Sequence, residues 1–496
     1  MKENIGIVGA GICGLSAALA LSRHGNEITI YERDLPPPPG NAEKAFFDWP
    51  RKGAAQFRHP HAFLGVMCNL LQKKYPSLIE KLWDAGARKI SFEDMVPLEL
   101  RDQYQQEPDD EEMWLLMCRR ATMESVLRRH VEEIDNVNIL SRHDIVGPTA
   151  VLDEKGVRLN GLEVRPNRGP VEVREHDIIV DASGRNSKFP IWFSDLGASI
   201  SVEEEDAEIV YYTRHYKLNA GEDEPSRTGK DRSAGDLGYI KYGVFPGDNG
   251  HFAIILCLPN HETDLREAVK NPALFDKICR SIPGLYPWLE IGKSSPTTSS
   301  FGFGNIKAVW RHFVNKSTPV ALNYFAIGDA AVRTNPLYGR GCSTGIVHAH
   351  LLEEVLHKIS NPKERALAFD RVTEEELRPI YQASLQEDRL GKKRASAIFQ
   401  GKKIDEQRGI KQWLRASFGD ALASASRENM HVFRGVMKSF NLMEKPGYFL
   451  KDNRIKRTIL RYMLRGRKKN SSARYQRGPS RLEMISIVKD EGNKAA

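Results

Sequence analysis

An α/β fold is predicted: a parallel sheet opens the chain, a mostly antiparallel β region fills its middle, and helices follow. Three observations predict it. The chain opens with the apolar run Ile5-Gly6-Ile7-Val8, the turn Gly9-x-Gly11-x-x-Gly14, and a second apolar run, 27–31, closed by Glu32. At 324–345 another apolar run ends at Gly328-Asp329 and leads through Pro336, Gly339 and Gly341 towards a helix. Between these, 207–218, 238–245 and 251–258 alternate as strands do, with Pro246-Gly247-Asp248-Asn249-Gly250 as a turn.

The first motif has the order strand, glycine turn, helix, strand and acid, which is a Rossmann-like dinucleotide-binding fingerprint. Gly9 allows the tight turn and Gly11 a close approach of backbone to pyrophosphate. Gly14 lets the helix pack on the sheet, and Glu32, with Arg33 beside it, is placed for a ribose hydroxyl. The helix N-terminus adds amide donors and partial positive charge. The second motif decides which dinucleotide. Asp329 after a strand suits a ribityl hydroxyl, and a turn stripped of side chains at Pro336, Gly339 and Gly341 suits a flat ring. A helix is predicted from about 343 to 358, with Val347, Leu351 and Val355 inward. A nicotinamide needs no second site of this kind, whereas FAD does, so FAD is the expected cofactor.

Together the two motifs resemble the flavoprotein monooxygenases of the aromatic-hydroxylase type, over roughly residues 4–390. Asp177-Ile-Ile-Val-Asp-Ala-Ser-Gly184-Arg185-Asn186-Ser187 is similar to that family's middle motif, although Ser183 stands where the family usually has Asp. Arg51-Lys52-Gly53-x-x-Gln56-x-x-His59-x-His61 resembles a subgroup that includes the polyether olefin epoxidases and related FAD-dependent oxidoreductases. Arg120 resembles the arginine that opens a helix beside FAD.

The resemblance implies FAD contacts at Arg51, Arg120 and Gly184. It also implies electrons from NAD(P)H, or from reduced flavin made by a partner reductase, and O2 as co-substrate. The implied reaction inserts one oxygen atom into a largely apolar small molecule, by epoxidation or hydroxylation through a flavin C4a-hydroperoxide. Because the cofactor carries the hard chemistry, no catalytic residue is assigned, with His59 and His61 as candidates. By the same resemblance the middle sheet roofs the substrate, which brings in Tyr211, Tyr212, Arg214 and His215; strand alternation lets only half of them face it. A flavin reductase of prenyl double bonds, a flavin halogenase and a non-catalytic FAD-binding protein stay open. The Trp-x-Trp-x-Ile-Pro stretch of halogenases is absent.

At 496 residues and 41% hydrophobic, the chain can bury several cores. The expected organisation is a discontinuous FAD-binding domain at 1–200 and 300–360 with a helical excursion at 50–115. A β-rich substrate domain at 201–299, a helical region at 361–450 and a basic tail at 451–496 complete it. The four prolines at 36–39 mark 35–60 as a non-helical excursion. A helical 61–86 turns Leu64, Met67, Leu71, Leu78 and Leu82 inward, and 107–112 reads as a solvated acidic loop. The six cysteines form no C-x-x-C pair, so free thiols and no metal site are expected. With no signal peptide and no apolar span of about 20 residues, a cytoplasmic protein is expected.

The net charge of +8 is local: 451–481 holds twelve Lys or Arg against Asp452, a net +11 that leaves the rest at −3. There Ile455, Ile459 and Met463 repeat at helical spacing among the cations. Such a helix lies on an anionic membrane, grips an acidic partner or docks on the body by its apolar edge; nucleic acid is disfavoured for want of a binding motif.

Overall fold

A computed structural model describes residues 2–153, 156–226, 231–402, 409–470, 473 and 477–489. Its first sheet is parallel throughout, in the order Tyr324–Ala326, Ile178–Asp181, Asn4–Val8, Glu27–Glu32, Val137–Ser141. Ile5, Ile7, Ile28, Ile30, Ile178 and Val180 are fully buried, as strands covered on both faces require. The helices Ile12–Ser22, Arg120–Glu132 and Gly341–Lys358 share one hydrophobic core with this sheet. The opposite face packs on the His143–Asp153 and Gly156–Pro166 hairpin and on Phe189 and Phe193.

The excursion carries helices Gly65–Lys74 and Pro76–Asp84, and its five expected inward residues are all buried. Three expectations are corrected. A short helix, Ala42–Asp48, lies within 35–60; it starts beyond the prolines because Asn41 Oδ1 accepts the Lys44 amide at 3.1 Å. The acidic stretch is not a solvated loop: Pro108–Glu112 is a 3-10 turn whose Asp110 is buried, accepting from Arg434 Nε at 2.8 Å. In Gly341–Lys358 the fully buried apolar row is Ile346, Ala349 and Leu352; of the expected residues Val355 is buried, while Val347 and Leu351 lie beside the row, half-buried, against the same core.

The second sheet is antiparallel, in the order Ala234–Asp236, Lys241–Pro246, His251–Pro259, Ile209–Leu218, Ser294–Pro296, with Phe301–Phe303 also on Ile209–Leu218. Ser201–Asp206 pairs instead with Lys307–His312. One face of the second sheet packs on Pro272–Ser281 and on Met484 of the Arg481–Lys489 helix. The other faces the glycine motifs.

After the long helix Pro362–Phe399 come Ile410–Glu428, Met430–Phe440 and Asn453–Arg465. Ile455 and Ile459 dock on Ala421, Ala425 and Val432, with Met463 alongside, so the apolar edge of the basic segment is used inside the molecule. Residues 471–472, 474–476 and 490–496 of the tail lie outside the described residues. Among the described residues no helix is long and apolar enough to cross a membrane.

Candidate active site

The three N-terminal glycines do different work. Gly9 has φ +102°, and a Cβ there would stand 2.7 Å from the Ala182 carbonyl oxygen. A Cβ on Gly14 would collide with the Gly9 carbonyl oxygen, so this glycine sets helix-to-strand packing. Gly11 is opposite in kind: a Cβ there meets nothing within 4 Å, and the same holds for Gly341 and for Gly184, although the φ of +76° at Gly184 already favours glycine. All three line one cavity. Gly11 and Gly341, without a positive φ and without a neighbour in the place of a side chain, leave bare backbone on the cavity wall.

The lining includes eleven of the twelve expected cofactor residues: Gly9, Gly11, Glu32, Arg33, Arg51, Arg120, Gly184, Asp329, Pro336, Gly339 and Gly341. Gly14 does not line the cavity, because it is spent on packing against Gly9. The two motifs thus meet across one space lined from Glu32 to the Pro336–Tyr338 turn.

Buried charge holds this space open. Glu32 Oε2 accepts the Ala10 amide at 2.9 Å and faces Arg51 Nη1 at 2.8 Å. Arg51 also binds Asp34 at 2.9 Å, Glu124 at 2.5 Å and the Ala10 carbonyl at 2.8 Å. Glu124 accepts Arg120 Nε on its second oxygen at 3.1 Å. Burial pushes the Glu124 carboxyl up, and Arg51 and Arg120 reverse this and hold it below the usual range. Asp329 goes the other way: burial raises it, against a partial pull from Arg333, Arg120, Arg185 and Arg311. Asp181 is sealed under Ser183, Ser187 and Tyr324, and Ser183 donates to it at 2.5 Å.

Both candidate histidines line the cavity and both are neutral. Burial lowers His59 to about 4, and burial with Arg120 lowers His61 to about 3. His61 accepts from Arg120 Nη1 on Nε2 at 3.3 Å, so its Nδ1–H donates to the His59 carbonyl at 2.8 Å. Both nitrogens are occupied, which makes His61 a positioning residue. His59 Nδ1 meets Thr213 Oγ1 at 2.8 Å, and its ring lies edge-on to Phe301.

Pairing of Ile209–Leu218 decides the alternation. Tyr211 and Thr213 turn to the nucleotide side, where Tyr211 lines the cavity and its hydroxyl accepts the Leu337 amide at 3.1 Å. Three expected pocket residues are corrected. Tyr212 packs into the helix-side core, Arg214 pairs with Asp276 at 2.6 Å, and His215, though on the Tyr211 side, sits beside the main cavity, donating to the Arg58 carbonyl at 2.7 Å. Phe303, Arg185, Ile255 and Leu337 line the site without having been singled out. Arg185 lies 5.1 Å over the Phe303 ring; its position after Gly184 was the available signal.

Fold and cavity define a two-motif dinucleotide-binding architecture. Residues 7–61 match the NAD(P)-binding Rossmann-like domain family. Protein Rv3254 of Mycobacterium tuberculosis is 24% identical over 396 residues, 77% of this chain and 79% of its own. Among solved structures, PqsL of Pseudomonas aeruginosa, a probable FAD-dependent monooxygenase, superposes with TM-score 0.54 at 14% identity, covering 81% of this chain and 100% of its own. The p-nitrophenol 4-monooxygenase PnpA of Pseudomonas putida DLL-E4 gives 0.56 at 14% identity, covering 90% and 99%. The flavin-dependent brominase Bmp2 gives 0.50 at 12% identity, covering 100% and 99%. The chain has the fold of FAD-dependent monooxygenases.

Asp329 gives a direct test of cofactor placement. If Asp329 binds a ribityl hydroxyl, Asp329→Ala removes a charge-assisted hydrogen bond of roughly 1.5–3 kcal/mol, and FAD affinity should fall about tenfold to a hundredfold in fluorescence titration. A variant that purifies with full, tightly held flavin overturns the assignment.

Proposed function

We propose that this protein is an FAD-dependent monooxygenase that inserts one oxygen atom from O2 into a largely apolar small molecule. Electrons come from NAD(P)H or from reduced flavin supplied by a reductase. The observation that carries the reading is the pair of bare glycines, Gly11 and Gly341, from the two motifs, along a cavity whose wall beside Leu337 is the apolar group Tyr211, Ile255 and Phe303.

Gly11 and the Ile12–Ser22 N-terminus would hold the pyrophosphate, and Glu32 and Asp329 the sugar and ribityl hydroxyls. The Gly341–Lys358 N-terminus favours negative charge on the ring system. Bound reduced FAD supplies O2 activation. Tyr211, Phe245, Ile255 and Phe303 exclude water and orient an apolar partner. Of the two candidate histidines, neutral His59 is the one left to take a proton from a phenol; an alkene needs no base, which is why epoxidation stands beside hydroxylation. The fold of the brominase Bmp2 favours halogenation as a second reading.

The test loads the protein with FAD, photoreduces it and supplies isotopically labelled O2 with a panel of alkenes and phenols, with and without bromide. One labelled oxygen in an organic product supports monooxygenation. A reduced double bond without label, or a brominated product, replaces it. Gly341→Val should give folded protein with displaced flavin and no product; unaltered absorbance and activity in that variant sink the reading.

A further inference from the structure

With Ile455 and Ile459 docked inward, the face left outward on Asn453–Arg465 is Lys456, Arg457, Leu460, Arg461 and Leu464, all exposed. The helix contains no acidic residue. Its packing partner, Ile410–Glu428, begins with Ile410, Lys411, Gln412, Trp413, Leu414 and Arg415, every one of them exposed. Ile410 and Leu464 are 79% and 81% accessible. The acids of the partner helix do not offset this charge: Asp420 is bound by Arg467 and Glu428 by Arg465.

We propose that these two helices form a peripheral membrane-docking surface for anionic bilayers, with Trp413, Leu414, Leu460 and Leu464 entering the interface and Lys411, Arg415, Lys456, Arg457 and Arg461 facing lipid headgroups. Charge complementarity chooses the partner. A second copy of this face would set cation against cation, and a nucleic acid would leave the leucines and Ile410 in water. An anionic bilayer satisfies both parts: acyl boundary for Trp and Leu, phosphate and carboxylate for Lys and Arg. Each cation near such a surface contributes on the order of 1 kcal/mol. The helices lie on the surface and do not cross it. The packing of Ile455 and Ile459 selects internal docking for the apolar edge, so the membrane reading moves to the opposite face. The surface is separate from the glycine-lined cavity, so its test is independent of the flavin reaction.

The experiment is co-sedimentation of the full chain with phosphatidylcholine vesicles, with and without phosphatidylserine, at about 0.05 M and about 0.5 M salt. Binding is expected only to the serine lipid and should fade at high salt. The triple reversal Lys456→Glu, Arg457→Glu, Arg461→Glu should weaken it roughly a hundredfold. Leu460→Ser with Leu464→Ser should weaken it while leaving the urea midpoint unchanged, since both side chains are exposed. Brominated lipid should quench wild-type tryptophan fluorescence, and Trp413→Phe should remove most of that quenching. Binding to neither vesicle, equal binding to both, wild-type binding by the variants, or loss of self-association in the variants in lipid-free buffer overturns the proposal.

Discussion

Glu124→Ala is expected to cost about 3–5 kcal/mol of folding stability and to strip the cavity of its shape. Its carboxylate is wholly buried and is shared by two guanidiniums, Arg51 at 2.5 Å and Arg120 at 3.1 Å. Arg51 keeps Glu32 and Asp34 when Glu124 is lost. Arg120 does not: its remaining side-chain partner is His61, a neutral ring. A half-paired cation in a desolvated wall has to recruit water or swing into the space meant for the cofactor. The urea midpoint should therefore drop and FAD affinity fall with it. Glu124→Gln keeps volume and one acceptor, so it should recover part of the stability and less of the affinity. Wild-type midpoint and flavin content in Glu124→Ala would show that the two arginines are held by other means.

Sequence made this site legible where a backbone requirement writes itself into residue type. Glycine at 9 and 14 follows from what a strand-to-helix turn needs, and 11, 339 and 341 together with the acids at 32 and 329 come together around one cavity. Where the determinant is pairing between distant strands, sequence is silent. The choice between Tyr211 and Tyr212 is made by the register of Ile209–Leu218 on His251–Pro259, which puts Tyr211 opposite Cys257 and towards Leu337. The helix Ala42–Asp48 was hidden by the prolines before it, since one cap residue, Asn41, restarts the helix after a run that forbids it. Asp110 read as one solvated acid among several because its partner, Arg434, lies 324 positions away. The basic segment was read correctly as amphipathic, but periodicity alone does not say which face is already spent. Packing of Ile455 and Ile459 on Ala421 and Ala425 supplies that answer.

His348 is the clearest case of a residue that no motif announces, and acid titration should expose it. It is fully buried within Gly341–Lys358, and burial lowers its pKa to about 3. Nδ1 accepts the Gly328 amide at 3.2 Å, so the proton sits on Nε2 and is donated to Thr373 Oγ1 at 3.0 Å. The neutral ring thereby fixes the turn that presents Asp329. His215 is likewise lowered to about 3, chiefly by burial. For both, the folded pKa lies below the unfolded value of 6.5, so the unfolded chain binds more protons as pH falls. Their contribution is complete above pH 6.5 and is lost progressively towards pH 3. Between about pH 7 and pH 5 each should cost about 2 kcal/mol. Asp329, Glu387 and Asp388, all raised by burial, oppose this by taking up protons in the folded state. A variant comparison isolates the histidine. His348→Gln can still accept from Gly328 and donate to Thr373, but it cannot be protonated. Its urea-derived stability should fall less steeply between pH 7 and pH 5, by up to about 1.4 kcal/mol per pH unit, and it should retain FAD at pH values where the wild type releases it. Parallel stability curves for the two proteins would mean that His348 does not couple the Asp329 turn to acid.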